Sequence, residues 1–286
     1  MKSLLDFEFY IKDLGPLKYF LGMEIVRSSV GILLYQRKYT LDLLQDCGLL
    51  DAKPFSTPME YSGKLIYSSS GVSLTDVTSY RRLMGKLLYL THPRHDLSFV
   101  VGHLSQFLDK PTNYHYSATI RILKYLKGSI SNGIFFSVTN NMQLKGYSDS
   151  NWAACLDTRR STSGYCFFLR QSLVSWKSKK QKSVSRSCTE AEYRAMALAS
   201  CEAQWLVSLL ANLGLAHPQS VQLYCDNQSA MHIATNHVYH ERTKHIEVDC
   251  HFIRERVQSK VIHLLLVSSS SQIADIFTKP LSPSLF

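Results

Sequence analysis

The chain has no CxxC pair, no two aspartates side by side, and no apolar run long enough to cross a bilayer. Its seven cysteines, Cys47, Cys155, Cys166, Cys188, Cys201, Cys225 and Cys250, are scattered and odd in number. That argues against a disulfide framework and a zinc knuckle, and most of the seven read as core thiols in a reducing compartment. The late apolar run VIHLLLV, residues 261–267, falls well short of the roughly 20 residues a spanning helix needs, so no membrane partner is expected. The N-terminal MKSLLDFEFYIKDLG carries acids too early for a secretion signal, which implies an intracellular protein. Acids are also scarce: 22 Asp and Glu face 32 Lys and Arg, a net charge of +10. Such a surplus favours a polyanionic partner, nucleic acid being the commonest, with a plain soluble basic protein as the alternative.

What is present is enough for two domains. Of 286 residues, 45% are hydrophobic, which excludes a disordered chain. The first part, residues 1–138, opens with LKYFLGMEIVRSS and ILLYQRKY, two alternating runs around Gly31 that predict a β-hairpin. Helical patterns follow in YTLDLLQDCGLL, LSFVVGHLSQFL and YHYSATIRILKYLKG. In TSYRRLMGKLLYLTH, residues Tyr80, Leu83, Met84, Leu87 and Leu88 share a stripe. A Pro-, Ser- and Gly-rich loop crosses between them. The second part, residues 139–286, changes to three successive strands, a long helix ending at Gly214, a strand, two helices, a strand and a last short helix. The order βββαβααβα implies one mixed sheet flanked by helices. Ile246, Cys250, Ile253 and Val257 lie on one face of the helix over RTKHIEVDCHFIRERV.

Four acids fall on four separate elements of that order. Asp149 interrupts the first strand of the second part, an unusual place for aspartate. Asp226 directly follows its fourth strand, and Asp275 begins its last helix. Glu190 and Glu192 open the long helix, two apart, so only one reaches the sheet. Each has a plain structural role available: Asp226 as a helix N-cap, Thr189-x-x-Glu192 as a capping box, Asp275 beside a helix N-terminus. Brought together, the four would repel one another. Hard divalent cations such as Mg²⁺ relieve such a cluster and serve phosphodiester chemistry.

The blocks GYSDSNWA, STSGYCFFL, VSWKSKKQ, SCTEAEYRAM, LYCDNQSA, HERTKHIEVDCHFIRE and QIADIFTKPL resemble the ribonuclease H domain of copia-type LTR retrotransposon Pol polyproteins, at their C-terminal part. IKDLGPLKYFLGMEI, LLYQRKYTLDLL, STPM, YRRLMGKLLYLTHPRHDLSF and RILKYLKG resemble the end of the reverse transcriptase palm and the thumb or connection. The resemblance implies an RNase H-like α/β fold with a mixed five-stranded sheet, preceded by a β-hairpin and a mostly helical reverse transcriptase fragment. It implies hydrolysis of the RNA strand of RNA–DNA hybrids during reverse transcription, with two Mg²⁺ ions, or Mn²⁺, held by Asp149, Glu192, Asp226 and Asp275. The family's polymerase needs an adjacent aspartate pair, so these residues alone are expected to make no DNA. The missing polymerase part of the polyprotein is an expected partner, and a cytoplasmic particle or the nucleus an expected location. Three readings compete with this one: an inactive relic that only binds nucleic acid, another nuclease of the RNase H type, and an integrase. The helix glutamate favours the ribonuclease over the integrase. PRHD, residues 93–96, departs from the usual family block.

For holding a hybrid or template–primer duplex, the segment KSKKQKSVSR offers Lys177, Lys179, Lys180 and Lys182, with Trp176 before it. Asn227 and Gln228 are candidate donors to 2′-hydroxyls. A solvated loop is the plain reading of the same segment. Arg121, Lys124 and Lys127 divide evenly between duplex contact and an ordinary wet helix face. HERTKH, residues 240–245, fails as a zinc-protease motif, because His240 and His245 are five apart.

Overall fold

The structure, a computed structural model, describes residues 2–10, 15–61, 71–138, 143–215, 219–235 and 247–286. After helix α1 (Lys2–Phe9), strand β1 (Tyr19–Phe20) pairs with β2 (Met23–Arg27), and β2 with β3 (Gly31–Tyr35), which is the expected hairpin. Helices α2 (Arg37–Asp46), α3 (Val77–Leu90), α4 (Ser98–Leu104) and α5 (Asn113–Gly128) follow. Strand β4 (Gly133–Ser137), which hydropathy had left unassigned, then returns to pair with β3. That pairing is close: a Cβ on Gly133 would lie 2.2 Å from the Leu34 carbonyl oxygen.

The helices bury a shared core of Tyr80, Leu83, Met84, Leu87 and Leu90 from α3, Val100, Val101 and Leu104 from α4, and Ile122, Leu123 and Leu126 from α5. Leu88 is not part of it; at 42% exposure it faces outward, and Leu90 takes the last place on the stripe. From Leu87 the 3.6-residue period advances to position 90 or 91, leaving 88 turned off the face.

The second part forms a five-stranded mixed sheet in the order β7-β6-β5-β8-β9. Strands β5 (Leu144–Asn151), β6 (Thr162–Leu169) and β7 (Ser172–Lys180) make an antiparallel meander. Helix α6 (Cys188–Asn212) carries the chain across to β8 (Val221–Cys225), parallel to β5. Helices α7 (Gln228–Thr235) and α8 (Glu247–Gln258) lead to β9 (Ile262–Leu266), parallel to β8. Cys250 and Ile253 of α8 are buried as its spacing predicts and Val257 is half-buried; Ile246, with His240 and His245, lies outside the described residues. One sheet face packs on α6, α7 and α8 through Tyr165, Phe167, Tyr193, Met196, Leu206 and Leu223. Among the described residues, no helix is long and apolar enough to cross a membrane.

The last element differs from its expected α-helix. Ile273–Phe277 is a 3₁₀ turn. Thr278 N–H closes on the Asp275 carbonyl at 3.0 Å, and Pro280 lacks the donor to continue. This turn lies on the sheet face opposite α6, where Phe277 packs with Cys166 and Leu173. His95 of the first part reaches the same place, its ring 6.0 Å from Trp176 and 6.4 Å from Phe277. The boundary read at 138/139 abuts residues 139–142, which lie outside the described ones.

Candidate active site

The parallel pairing of β5 and β8 sets Tyr147 opposite Tyr224, and their rings stack at 4.8 Å. Asp149 and Asp226 each sit two residues further on. A strand's period of two therefore places both acids level at the same end of the sheet. Asp149 is 3% exposed and Asp226 half-buried.

The long helix settles which glutamate joins them. Its N-cap is Ser187, whose hydroxyl accepts from Glu190 N–H at 3.1 Å. Glu190 turns back to accept from Arg186 N–H at 2.8 Å and pairs with Arg194 at 3.0 Å. Capping thus falls to Ser187 and Glu190, two residues earlier than the Thr189–Glu192 pair of the sequence reading. Glu192 is left to face the sheet, where its Oε1 accepts from Ser150 N–H at 3.0 Å and Ser150 Oγ at 3.1 Å. Helix α7 is likewise capped by Asn227, which accepts from Ala230 N–H at 2.8 Å, so Asp226 is free of that task. Ser269 Oγ donates to Asp226 at 2.8 Å instead.

The 3₁₀ turn brings the fourth acid from the opposite face. Gln272, buried, ties the turn to β5 by donating to the Ser148 carbonyl at 3.0 Å. Thr278 Oγ1 donates to Asp149, and Lys279 Nζ lies 2.8 Å from Asp275. The approach depends on Gly164, which pairs across the strands with Asp149. A Cβ there would stand 2.6 Å from Thr278 Cγ2 and 2.7 Å from Phe277 Cβ.

The structure therefore gathers Asp149, Glu192, Asp226 and Asp275, in two subsets. Glu192, Asp226 and the buried thiol of Cys225 offer ligand atoms within 4.8 Å of one another. Asp149 and Asp275 form a second, hydrogen-bonded subset with Thr278 and Lys279. Burial, then the charges of Asp149 and Asp226, push Glu192 up to about 9. Burial also raises Asp149 to about 6, against the pull of Lys279 and Thr278. Asp275 is raised as well, mainly by burial. Several hard carboxylate oxygens, whose ionisation is opposed by desolvation and mutual repulsion, suit a hard divalent cation.

The other candidate residues are divided by the strand period. Trp176 and Lys180 fall on the sheet face of Asp149, and there they meet the first part of the chain: Trp176 packs near His95, and Lys180 Nζ donates to Gln106 Oε1 at 2.8 Å. Lys177 and Lys179 project to the other side and are exposed, as is Lys182 beyond the strand end. Trp152 donates to the Ser185 carbonyl at 3.0 Å, holding the basic loop beside the end of β5. Gln228 is exposed next to Asn227. Arg121 stacks on Phe55 at 4.5 Å and donates to Thr57, so this cation has an internal role. Cys188 and Cys201 are exposed rather than core thiols, whereas Cys155, Cys166, Cys225 and Cys250 are buried.

Sequence reading missed the supporting set: Ser150, Cys225, Ser269, Gln272, Thr278 and Lys279. Small polar residues carry no periodic signal. Only the proximity of Cys225 to Asp226, and of Thr278 and Lys279 to Asp275, hinted at them.

No family model matches the chain. It is 47% identical over 279 residues to the retrovirus-related Pol polyprotein from transposon RE1 of Arabidopsis thaliana, covering 97% of this chain and 19% of that protein. It is 38% identical over 287 residues to the Pol polyprotein from transposon TNT 1-94 of Nicotiana tabacum, covering 98% of this chain and 22% of that one. The chain thus spans about a fifth of the length of these curated relatives. Among solved structures, LC11-RNase H1 in complex with an RNA/DNA hybrid matches 48% of this chain and 94% of its own, at 13% identity and a TM-score of 0.37. That likeness is remote, and the fold described above rests on its own strand order.

Proposed function

The chain belongs to the family of retrovirus-related Pol polyproteins of copia-type transposons, and on that premise we propose that it hydrolyses the RNA strand of RNA–DNA hybrids in a divalent-metal-dependent reaction. One observation carries the reading. Four carboxylates from four separate elements meet at one end of the second sheet, two of them buried there without enough positive charge to ionise freely.

Asp149, Glu192, Asp226 and Asp275 would hold two Mg²⁺ ions, or Mn²⁺. When bound, such ions lower the pKa of a coordinated water and neutralise charge on a phosphodiester. The chain's own contribution is orientation. Ser150 fixes Glu192 from the β5 backbone, Ser269 aims Asp226, and Thr278 aims Asp149. Gln272 holds the turn bearing Asp275 against β5. Lys177, Lys179 and Lys182, exposed, supply sequence-independent attraction for a phosphate backbone. Trp176 and Lys180 support that strand from behind. Asn227 and Gln228, beside Asp226, are placed to donate to sugar hydroxyls. Residues 1–138 are the reverse transcriptase end and 139–286 the nuclease, and without an adjacent aspartate pair the chain extends no primer.

The test is cleavage of a labelled RNA–DNA hybrid by the full chain in Mg²⁺ and, separately, in Ca²⁺, beside Asp149→Asn. RNA-strand cleavage in Mg²⁺, absent in Ca²⁺ and in the variant, supports the nuclease. Hybrid bound but intact in Mg²⁺ would overturn it in favour of a binding module.

A further inference from the structure

We infer that Lys279 is a resident counter-ion of the carboxylate site, which a divalent cation must displace from Asp275 in order to bind; the inference rests on the metal-dependent reading above. Among the described residues, Lys279 is the basic side chain ion-paired to any of the four acids, with Nζ 2.8 Å from Asp275 Oδ1. Its position is fixed by the backbone. Lys279 N–H donates to the Asp275 carbonyl at 3.1 Å, so one tight turn folds the ammonium back over the carboxylate four residues earlier. Lys279 also lines a small recess together with Met59, Phe99, Pro280, Leu281 and Phe286. Its charge also acts on Asp149 and Asp226.

Without a metal, the four gathered carboxylates repel one another. An ammonium at hydrogen-bond distance offsets part of their repulsion in that state. The same charge then opposes any cation arriving at Asp275. Lys279 thus favours the metal-free fold and weakens metal affinity, two effects that a purely structural ion pair on the surface would not produce together. It is a positioning residue in this sense, acting through Asp275.

The test uses the full chain without nucleic acid. Mn²⁺ binding is followed by calorimetry, and thermal melting is recorded in EDTA, for the unaltered chain, Lys279→Met, Lys279→Arg and Asp149→Asn. Lys279→Met keeps the stem and removes the charge. It is expected to bind Mn²⁺ about tenfold more tightly while melting at a lower temperature in EDTA. Lys279→Arg, which keeps the charge, is expected to stay within about twofold of the unaltered chain. A folded Lys279→Met with unchanged or weaker Mn²⁺ binding would overturn the inference. Should Lys279→Met not fold, the ammonium NMR signal of Lys279 in the unaltered chain, assigned by its loss in Lys279→Arg, decides. It is expected to shift on Mg²⁺ saturation, and an unmoved signal overturns the displacement. Failure of the unaltered chain and Lys279→Met alike to bind Mn²⁺ would overturn the metal-dependent reading itself.

Discussion

The chain buries carboxylates in two places and treats them in opposite ways. In the first part, Asp96 accepts from Arg94 at 2.6 and 3.0 Å and from Tyr125 at 2.6 Å. Arg94 completes itself on the Ser129 carbonyl and hydroxyl. Burial alone would raise Asp96, but the hydrogen bonds and charge of Arg94 hold it below the usual carboxylate range. In the second part, Asp149 and Glu192 are buried as deeply, yet their pKa values rise. Their donors are neutral: the Thr278 hydroxyl on Asp149, and the Ser150 N–H and hydroxyl on Glu192, while Lys279 acts on Asp149 only through its charge. Burial is common to both places; the balance of charge is not. A satisfied buried pair supports the fold, while an undercompensated cluster has the electrostatics that a cation would relieve.

The comparison breaks most sharply at the acids themselves. Asp149→Asn or Asp226→Asn is expected to reduce hybrid cleavage by roughly a thousandfold or more, equivalent to about 4 kcal/mol, as read by single-turnover kinetics. Binding of the hybrid should persist. Melting in EDTA should rise, because a repelling charge has gone. The same kind of change in the first part acts in the other direction. Asp96→Ala leaves Arg94 buried without its counter-charge and is expected to cost ~3–5 kcal/mol in urea unfolding. A loss under 1 kcal/mol would mean that water reaches Arg94 and that the two places are less different than their geometry indicates.

Smaller effects sharpen the contrast. Gly164→Ala inserts a methyl where Thr278 and Phe277 already stand, and is expected to cost ~1–3 kcal/mol by denaturant unfolding. It should also lower cleavage, since the displaced turn carries Asp275. A further effect is in pH. Between the ordinary carboxylate range and about 6 for Asp149 or about 9 for Glu192, the folded chain binds more protons than the unfolded one. Metal-free stability therefore falls as pH rises through that window. Asp96 has the opposite sign: its contribution is present above the unfolded pKa and is lost as pH falls through the lowered folded value. Melting in EDTA is expected to be higher at pH 5 than at pH 8, with Glu192→Gln flattening the decline. A melting temperature that climbs steadily from pH 5 to pH 8 would contradict the assignment of these two acids to a frustrated cluster.

PRHD, residues 93–96, reads as a departure from its family block, but three dimensions give Arg94, His95 and Asp96 work. Arg94 and Asp96 form the buried pair, and His95 reaches across to Trp176 and Phe277. None of this is visible in a four-residue string, because Ser129, Tyr125 and Trp176 arrive from distant segments.

The sequence by itself determined the elements and the chemistry on offer. Alternation and 3.6-residue periodicity marked the first hairpin, the α3 stripe as far as Leu87, and the βββαβααβ order, since they report which face of each element avoids water. Asp149 stood out because aspartate is rare within strands, and the family resemblance pointed to Glu192, Asp226 and Asp275 beside it. Only the tertiary structure decided the rest. It moved two helix caps to Ser187 and Asn227, which leaves Glu192 to face the sheet, made a 3₁₀ turn of the last element, and turned Lys177 and Lys179 away from Trp176 and Lys180. It also set Lys279 on Asp275 and packed Phe277 and Thr278 against Gly164. The reason is physical. Periodicity records burial along one element, whereas the protonation and partners of a carboxylate depend on charges that other elements bring within a few ångströms.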